Sequence, residues 1–172
     1  MEGAHGFQLR RAVPADAGEL SRTVLLGFET YRSFAPRGWE PPASEADLTH
    51  ERLLALPAVW CQVGEHDGEM AGHVGFVAAA RHAYPDEDPE LAHLWGLFVR
   101  PEHWGTGLAA SLHSAALAEA SARGFRRFRL FVAAPQGRAR RFYEREGWGA
   151  VGEPVFEPYL GLEIVEYRRP LP

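Results

Sequence analysis

An apolar run, Leu94–Val99, is followed by a short loop with two closely spaced glycines and then by a long Ala/Leu-rich stretch. This order constrains the fold more than any other part of the chain. Read locally, residues 99–109 (Val-Arg-Pro-Glu-His-Trp-Gly-Thr-Gly-Leu-Ala) end a buried strand, make a tight turn and start a helix. Gly105 and Gly107 let the backbone turn sharply and bring its N–H groups close to a ligand. The first N–H groups of a helix lack partners, and the helix dipole favours negative charge beside them. The segment therefore suits a phosphate or pyrophosphate. A turn serving structure alone would have the same composition.

Gly105–Ala110 also fits the G-x-G-x-x-A pattern of a dinucleotide site. Two features oppose that reading. Five residues, Arg100–Trp104, separate the strand from the first glycine, whereas a dinucleotide turn follows its strand directly. An acidic residue should also end the next strand to hold a ribose, yet Phe128–Val132 is followed by Ala133 and Ala134. A P-loop is excluded, because no Gly-Lys-Ser/Thr follows the glycines.

With 172 residues and 46% apolar content, the chain is expected to be one domain, 1–172, with room for a sizeable core. A formal charge of −5 argues against nucleic acid as the main partner. No apolar run approaches the ~20 residues of a membrane span, and residues 1–5 lack a signal-peptide pattern. No membrane partner and a cytoplasmic location are therefore expected. The single cysteine, Cys61, excludes an internal disulfide and fits a reducing compartment. Its apolar strand setting reads as a buried structural thiol. The eight histidines show no His-Glu-x-x-His or Cys/His spacing, so no metal site is expected.

Phe7–Val13 reads as the first strand, and Pro14-Ala15-Asp16 opens a helix running to about Tyr31. Phe34–Ala43 is a Pro/Gly-rich loop bearing Trp39, and Ser44-Glu45-Ala46-Asp47 resembles a capping box for a helix that stops before Pro57. Ala58–His66 and Glu69–Arg81 pair across Asp67-Gly68, a type I′ hairpin signal. After the acidic loop Asp86–Glu90 come the strand Leu91–Val99 and the helix Thr106–Arg123, with Gly124 as its C-cap. Phe128–Val132, the helix Gly137–Glu146 capped by Gly147, and strands near Ala150–Phe156 and Leu162–Arg168 complete the chain. The order is β-α-α-β-β-β-α-β-α-β-β, an α/β chain with a mixed sheet.

The segment Leu130–Trp148 contains Pro135-Gln136-Gly137-Arg138-Ala139 and Phe142-Tyr143-Glu144-Arg145-Glu146-Gly147-Trp148. It resembles the strand–helix–turn of the GNAT superfamily of acyl-CoA-dependent N-acetyltransferases, whose pattern there is strand, Asn, then Ala and Phe-Tyr-Glu-Arg/Lys-x-Gly-Phe. The superfamily's other signature, V-x-P-x-x-[QR]-G-x-G-[LIV]-[GA], is matched in order and spacing by Val99–Ala109. One helix and one strand separate the two motifs. The resemblance covers residues 58–168 well and the first third by layout. Two departures stand out: Trp104 replaces the usual Gln or Arg, and Gln136 replaces the usual Asn.

The resemblance implies a GNAT fold, a mixed, mostly antiparallel sheet of about seven strands with splayed fourth and fifth strands, flanked by about four helices. It implies transfer of an acetyl group from acetyl-CoA to a primary amine of a small molecule or peptide by direct attack. Leu97, Phe98 and Val99 would offer main-chain groups to the pantetheine arm. Trp104, Gly105, Thr106, Gly107, Leu108 and Ala109 would cradle the pyrophosphate, with Gln136 and Phe142 beside the cofactor. Tyr143 matches the tyrosine that protonates the departing sulfur; a core-facing tyrosine is also ordinary packing. The base position of some members falls on His93, where an imidazole could take an ammonium proton, and a structural histidine fits there equally. Strand alternation would place His93, Trp95 and Leu97 on one face, with Leu94 and Gly96 on the other. Glu29 and Glu40 are reserve bases. Arg138, Arg140 and Arg141 form a patch for the cofactor's 3′-phosphate or a solvated helix face. The acceptor side would be walled by Phe28, Tyr31, Phe34, Trp39 and the Pro41-Pro42 turn. A homodimer is allowed. The rival function is an acyl-CoA-binding sensor or interaction module without catalysis.

Overall fold

The computed structural model describes residues 2–3, 6–42 and 46–172, with side-chain detail at 6–42 and 50–172. Eight strands form one sheet: β1 (Glu2–Gly3), β2 (Phe7–Arg11), β3 (Trp60–His66), β4 (Glu69–Ala78), β5 (Leu91–Val99), β6 (Arg127–Ala133), β7 (Gly149–Glu157) and β8 (Leu162–Pro170). Their spatial order is β1-β2-β3-β4-β5-β6-β8-β7. Every neighbouring pair is antiparallel except β5–β6. The two-residue β1, which the sequence reading did not include, is added to the seven expected strands.

The helices are α1 (Ala17–Glu29), α2 (Ala46–Leu54), α3 (Leu108–Ala122) and α4 (Gly137–Arg145). Pro14–Asp16 and Thr30–Ser33 are 3-10 turns at the two ends of α1, so the single helix expected from Pro14 to Tyr31 is split in type. Residues 44 and 45 of the capping box expected before α2 lie outside the described residues. Asp67 and Gly68 both take positive φ, 52° and 80°, as a type I′ turn requires.

Two hydrophobic clusters form the core. Leu108, Leu112, Ala116 and Ala120 recur every fourth residue, make one face of α3 and bury themselves with Phe76, Leu94, Phe128 and Tyr143. The other cluster joins Leu20 of α1 to Cys61, Val63 and Met70. Burial pushes the Cys61 thiol up to about 12, which suits a packing residue, because the reactive form of a cysteine is its thiolate.

The alternation expected along β5 is broken. Gly96 faces Gly75 and Leu94 faces Phe76, leaving Trp95 as the extra residue of a bulge. Past the bulge the faces exchange. Leu97 joins Leu94 in packing on the α3 cluster, whereas Trp95 packs on the α1 cluster.

Candidate active site

The parallel β5–β6 pairing has only three rungs, Leu91–Arg127, Ala92–Phe128 and His93–Arg129. Beyond them β6 stays paired with β8 as far as Ala133–Ile164, and β5 stays paired with β4 as far as Val99–Gly72. The two strands therefore splay apart in mid-sheet, and two cavities open along the wedge. The smaller, about 510 Å3, is lined by the start of α3, by α4 and by Leu97–Val99. The larger, about 1080 Å3, lies between β5, β6, α1 and the turn after β7. Tyr31, Leu97, Phe98, Ala139 and Tyr143 line both, so the cavities meet at these residues.

Gly105 and Gly107 have φ of 79° and 87°, left-handed values that a side chain opposes. Gly107 is the N-cap of α3, so the helix starts two residues later than Thr106. The Trp104 indole N–H donates to the Val99 carbonyl at 2.8 Å. The same ring carries the Arg138 guanidinium 3.9 Å from its centroid, a cation–π stack. Trp104 thus braces the loop and seats a cation beside it. Thr106 Oγ1 donates to the His103 carbonyl at 2.7 Å. Thr106 lines neither cavity, and its side chain closes the turn instead of facing a ligand.

Arg138, Arg141 and Arg145 all line the smaller cavity. Among the described residues none of the three reaches a carboxylate at ion-pair distance. Arg140 differs, since it donates to the Tyr167 hydroxyl and the Ala134 carbonyl and is turned away from the cavity. Gln136, the N-cap of α4, and Tyr143, seven residues further on, both reach the smaller cavity, as does Phe142. Three guanidinium groups without ion-pair partners and a helix start around one cavity fit a polyanionic ligand.

Tyr143 is buried, with 8% of its surface exposed. Burial, with Tyr31 close by, holds its phenol well above the ordinary tyrosine range, so the hydroxyl keeps its proton. That hydroxyl makes no hydrogen bond among the described residues, although the residue lines both cavities. Burial likewise pushes the Tyr31 phenol up to about 12.

His93 lines the larger cavity, but its chemistry differs from the expected base. Arg129 Nε donates to His93 Nδ1 at 3.1 Å, so Nδ1 is the acceptor and the neutral ring carries its proton on Nε2. A protonated Nε2 has no lone pair with which to take an ammonium proton. Burial, then His82 and Arg129, hold His93 well below the ordinary imidazole range, so it stays neutral near pH 7. Glu29 and Glu40 are bound by Arg32 at 2.7 Å each and line neither cavity. The structure brings none of these three to the junction as a free base.

Of the residues expected on the acceptor side, Phe28, Tyr31 and Pro42 line the larger cavity. Trp39 and Phe34 do not. Trp39 donates its indole N–H to the Leu160 carbonyl at 2.8 Å and stacks on Tyr31, tying the 34–42 loop to the turn after β7. Phe34 packs on Tyr31. Sequence reasoning missed His50, His82, Tyr84, Trp95 and Glu157, all of which line the larger cavity. No motif or spacing marks them, because they come together only through pairing of distant strands.

The sequence profile of the acetyltransferase (GNAT) family matches residues 27–148. An uncharacterized N-acetyltransferase of Archaeoglobus fulgidus is 32% identical over 140 residues, which span 80% of this chain and 89% of that protein. Among solved structures, an acetyltransferase from Thermus thermophilus is 25% identical, with a TM-score of 0.67 over 99% of this chain and all of that one. The structure of yncA from Salmonella typhimurium with its cofactor acetyl-CoA has a TM-score of 0.74 over 98% of this chain and 95% of that one, at 17% identity. At that identity the likeness is one of fold alone. The wedge between β5 and β6, the glycine loop before α3 and the family match over more than half the chain place this protein in the GNAT acetyltransferase family.

Proposed function

We propose that this chain, acting as one unit over residues 1–172, moves an acetyl group from acetyl-CoA to the primary amine of a small molecule or peptide by direct attack. The observation that carries this reading is the meeting of the two cavities at Leu97, Phe98 and Tyr143, where the sheet opens. A cofactor in the smaller cavity and an amine in the larger would face each other there. Bound acetyl-CoA supplies an activated thioester. Its phosphates would be held by the N–H groups from Gly105 to Ala109, with Arg138 seated on Trp104 and with Arg141 and Arg145. Gln136, Phe142 and the main chain of Leu97–Val99 would flank the pantetheine arm.

The remaining task of the protein is to move protons. Tyr143 keeps its proton at neutral pH and has a hydroxyl unengaged by the described residues, the two properties needed to protonate a departing thiolate. His93 is not assigned as the base, because its protonated Nε2 offers no lone pair. A small fraction of free amine suffices without one.

Thiol release from acetyl-CoA across a panel of amines, with products read by mass spectrometry, tests the proposal. The expected result is acceptor-dependent release and a product about 42 Da heavier, the mass of one acetyl group in place of one hydrogen. Saturating acetyl-CoA should also raise thermal stability, by about 2.7 kcal/mol at a hundredfold excess over Kd, while NAD does not. Binding of acetyl-CoA without release to any amine would favour the sensor reading instead.

A further inference from the structure

Two imidazoles in the larger cavity have their tautomers set by pure donors. Arg129 Nε–H bonds His93 Nδ1 at 3.1 Å, and the Tyr84 backbone N–H bonds His82 Nδ1 at 3.1 Å. Each neutral ring therefore carries its proton on Nε2. The rings pack against each other with centroids 3.7 Å apart and planes 37° apart, and both residues line the cavity. Among the described residues no hydrogen bond engages either Nε2, although His93 is only 2% exposed.

Behind the pair sits Arg129, 4% exposed. Its acceptors are His93 Nδ1 and the Tyr84 carbonyl, both neutral. Asp86 and Glu166 act on it only at longer range, because both are taken up by Arg168, at 2.9 and 2.5 Å. A buried cation without a contact anion raises the potential of the space in front of it. The acidic residue lining the cavity, Glu157, is engaged by the Tyr84 hydroxyl and by the backbone N–H groups of Tyr159 and Leu160.

We propose that the Nε2–H groups of His82 and His93, backed by Arg129, bind a carboxylate carried by the acceptor amine. The inference rests on the transfer reading above for the word acceptor, and on the cavity alone for the carboxylate. The binding point lies at the closed end of the wedge, where His93 and Arg129 form the last paired rung. Leu97, at the junction, is four residues further along β5, roughly 13 Å at a strand's rise and less across the bulge. The reach of the His93 imidazole takes up part of that backbone interval, and an amine and a carboxylate on the same carbon lie too close together to fill the rest. The ligand class is therefore an ω-amino carboxylate, a chain with the two groups at opposite ends.

The test uses probes with and without the carboxylate on protein labelled with 15N in its histidines. Hexanoate should shift the Nε2 signals of His82 and His93 and bind at least about tenfold more tightly than hexanamide, as expected for a charge-assisted hydrogen bond. His93→Leu should erase the difference, and His93→Gln, which keeps an acceptor for Arg129 and an N–H donor, should restore part of it. His82→Leu serves the same purpose where His93→Leu fails to fold. In turnover, 6-aminohexanoate should exceed hexylamine in kcat/KM by at least about tenfold. Equal binding of hexanoate and hexanamide, or equal kcat/KM for the two amines, overturns the subsite while leaving acetyl transfer intact. Hexanoate binding at the two imidazoles without acetylation of any amine leaves the subsite standing and removes the transfer reading.

Discussion

His73 should make the fold sensitive to mild acid, and His73→Leu should remove that sensitivity. The residue is fully buried on β4, with its ring 6.0 Å from that of Trp95 and 5.7 Å from that of Phe98. Neither ring nitrogen has a partner among the described residues. Burial, with a smaller contribution from His50, lowers its pKa from 6.5 to about 3. Because the folded value lies below the unfolded one, the unfolded chain binds the proton first. Stability is therefore at its full value above pH 6.5 and is lost as pH falls toward 3. Each pH unit in that window costs about 1.4 kcal/mol, so at pH 5 this one ring costs the fold about 2 kcal/mol. Leucine has similar bulk and no ionisable group. Urea melts of both proteins at pH 7 and pH 5 give the difference of differences, in which packing changes common to both pH values cancel. The variant should lose about 2 kcal/mol less than the parent between the two, a relative midpoint shift of about 1 M urea. Parallel losses in the two proteins would refute the reasoning, since they would mean that the folded state already accepts a proton at His73.

Three other outcomes follow from the site and its frame. Tyr143→Phe should lower turnover by roughly 10²–10⁴-fold with little change in acetyl-CoA affinity, and the unengaged hydroxyl means that its melting temperature should hardly move; unchanged turnover with chemistry rate-limiting would make Tyr143 a packing residue. Gly107→Val puts a β-branched side chain at φ 87°, so calorimetry of the folded variant should show acetyl-CoA binding lost, and wild-type affinity would remove the loop's role in holding phosphate. Gly75→Ala drives a Cβ into the Trp95 ring, so it should displace the bulge and cost about 1–3 kcal/mol of stability, read from denaturant midpoints; a neutral result would mean that Trp95 is free to move aside.

Local features of this protein are legible in its sequence alone. The Asp67-Gly68 turn, the glycine loop of residues 105–107, α3 and α4 each depend on residues close in sequence, through backbone sterics, capping and periodic burial. The same locality makes the Tyr143 motif readable, because one helix and its N-cap carry Tyr143 and Gln136 to the same cavity. The tertiary structure decided what depends on register between distant segments. A one-residue bulge at Trp95 exchanged the faces of β5 and sent Leu97 to the α3 side. Pairing of β5 with β6 brought Arg129 to His93, and the loop after β4 brought in His82; those contacts engage Nδ1 of the expected base and pack its ring. Trp39, aromatic and loop-borne and expected in an acceptor wall, is tied instead by a hydrogen bond to Leu160, 121 residues away. Such assignments turn on which strand edges pair and where the pairing stops. Those are long-range balances of burial and hydrogen bonding, and a residue's own neighbours in sequence carry no record of them.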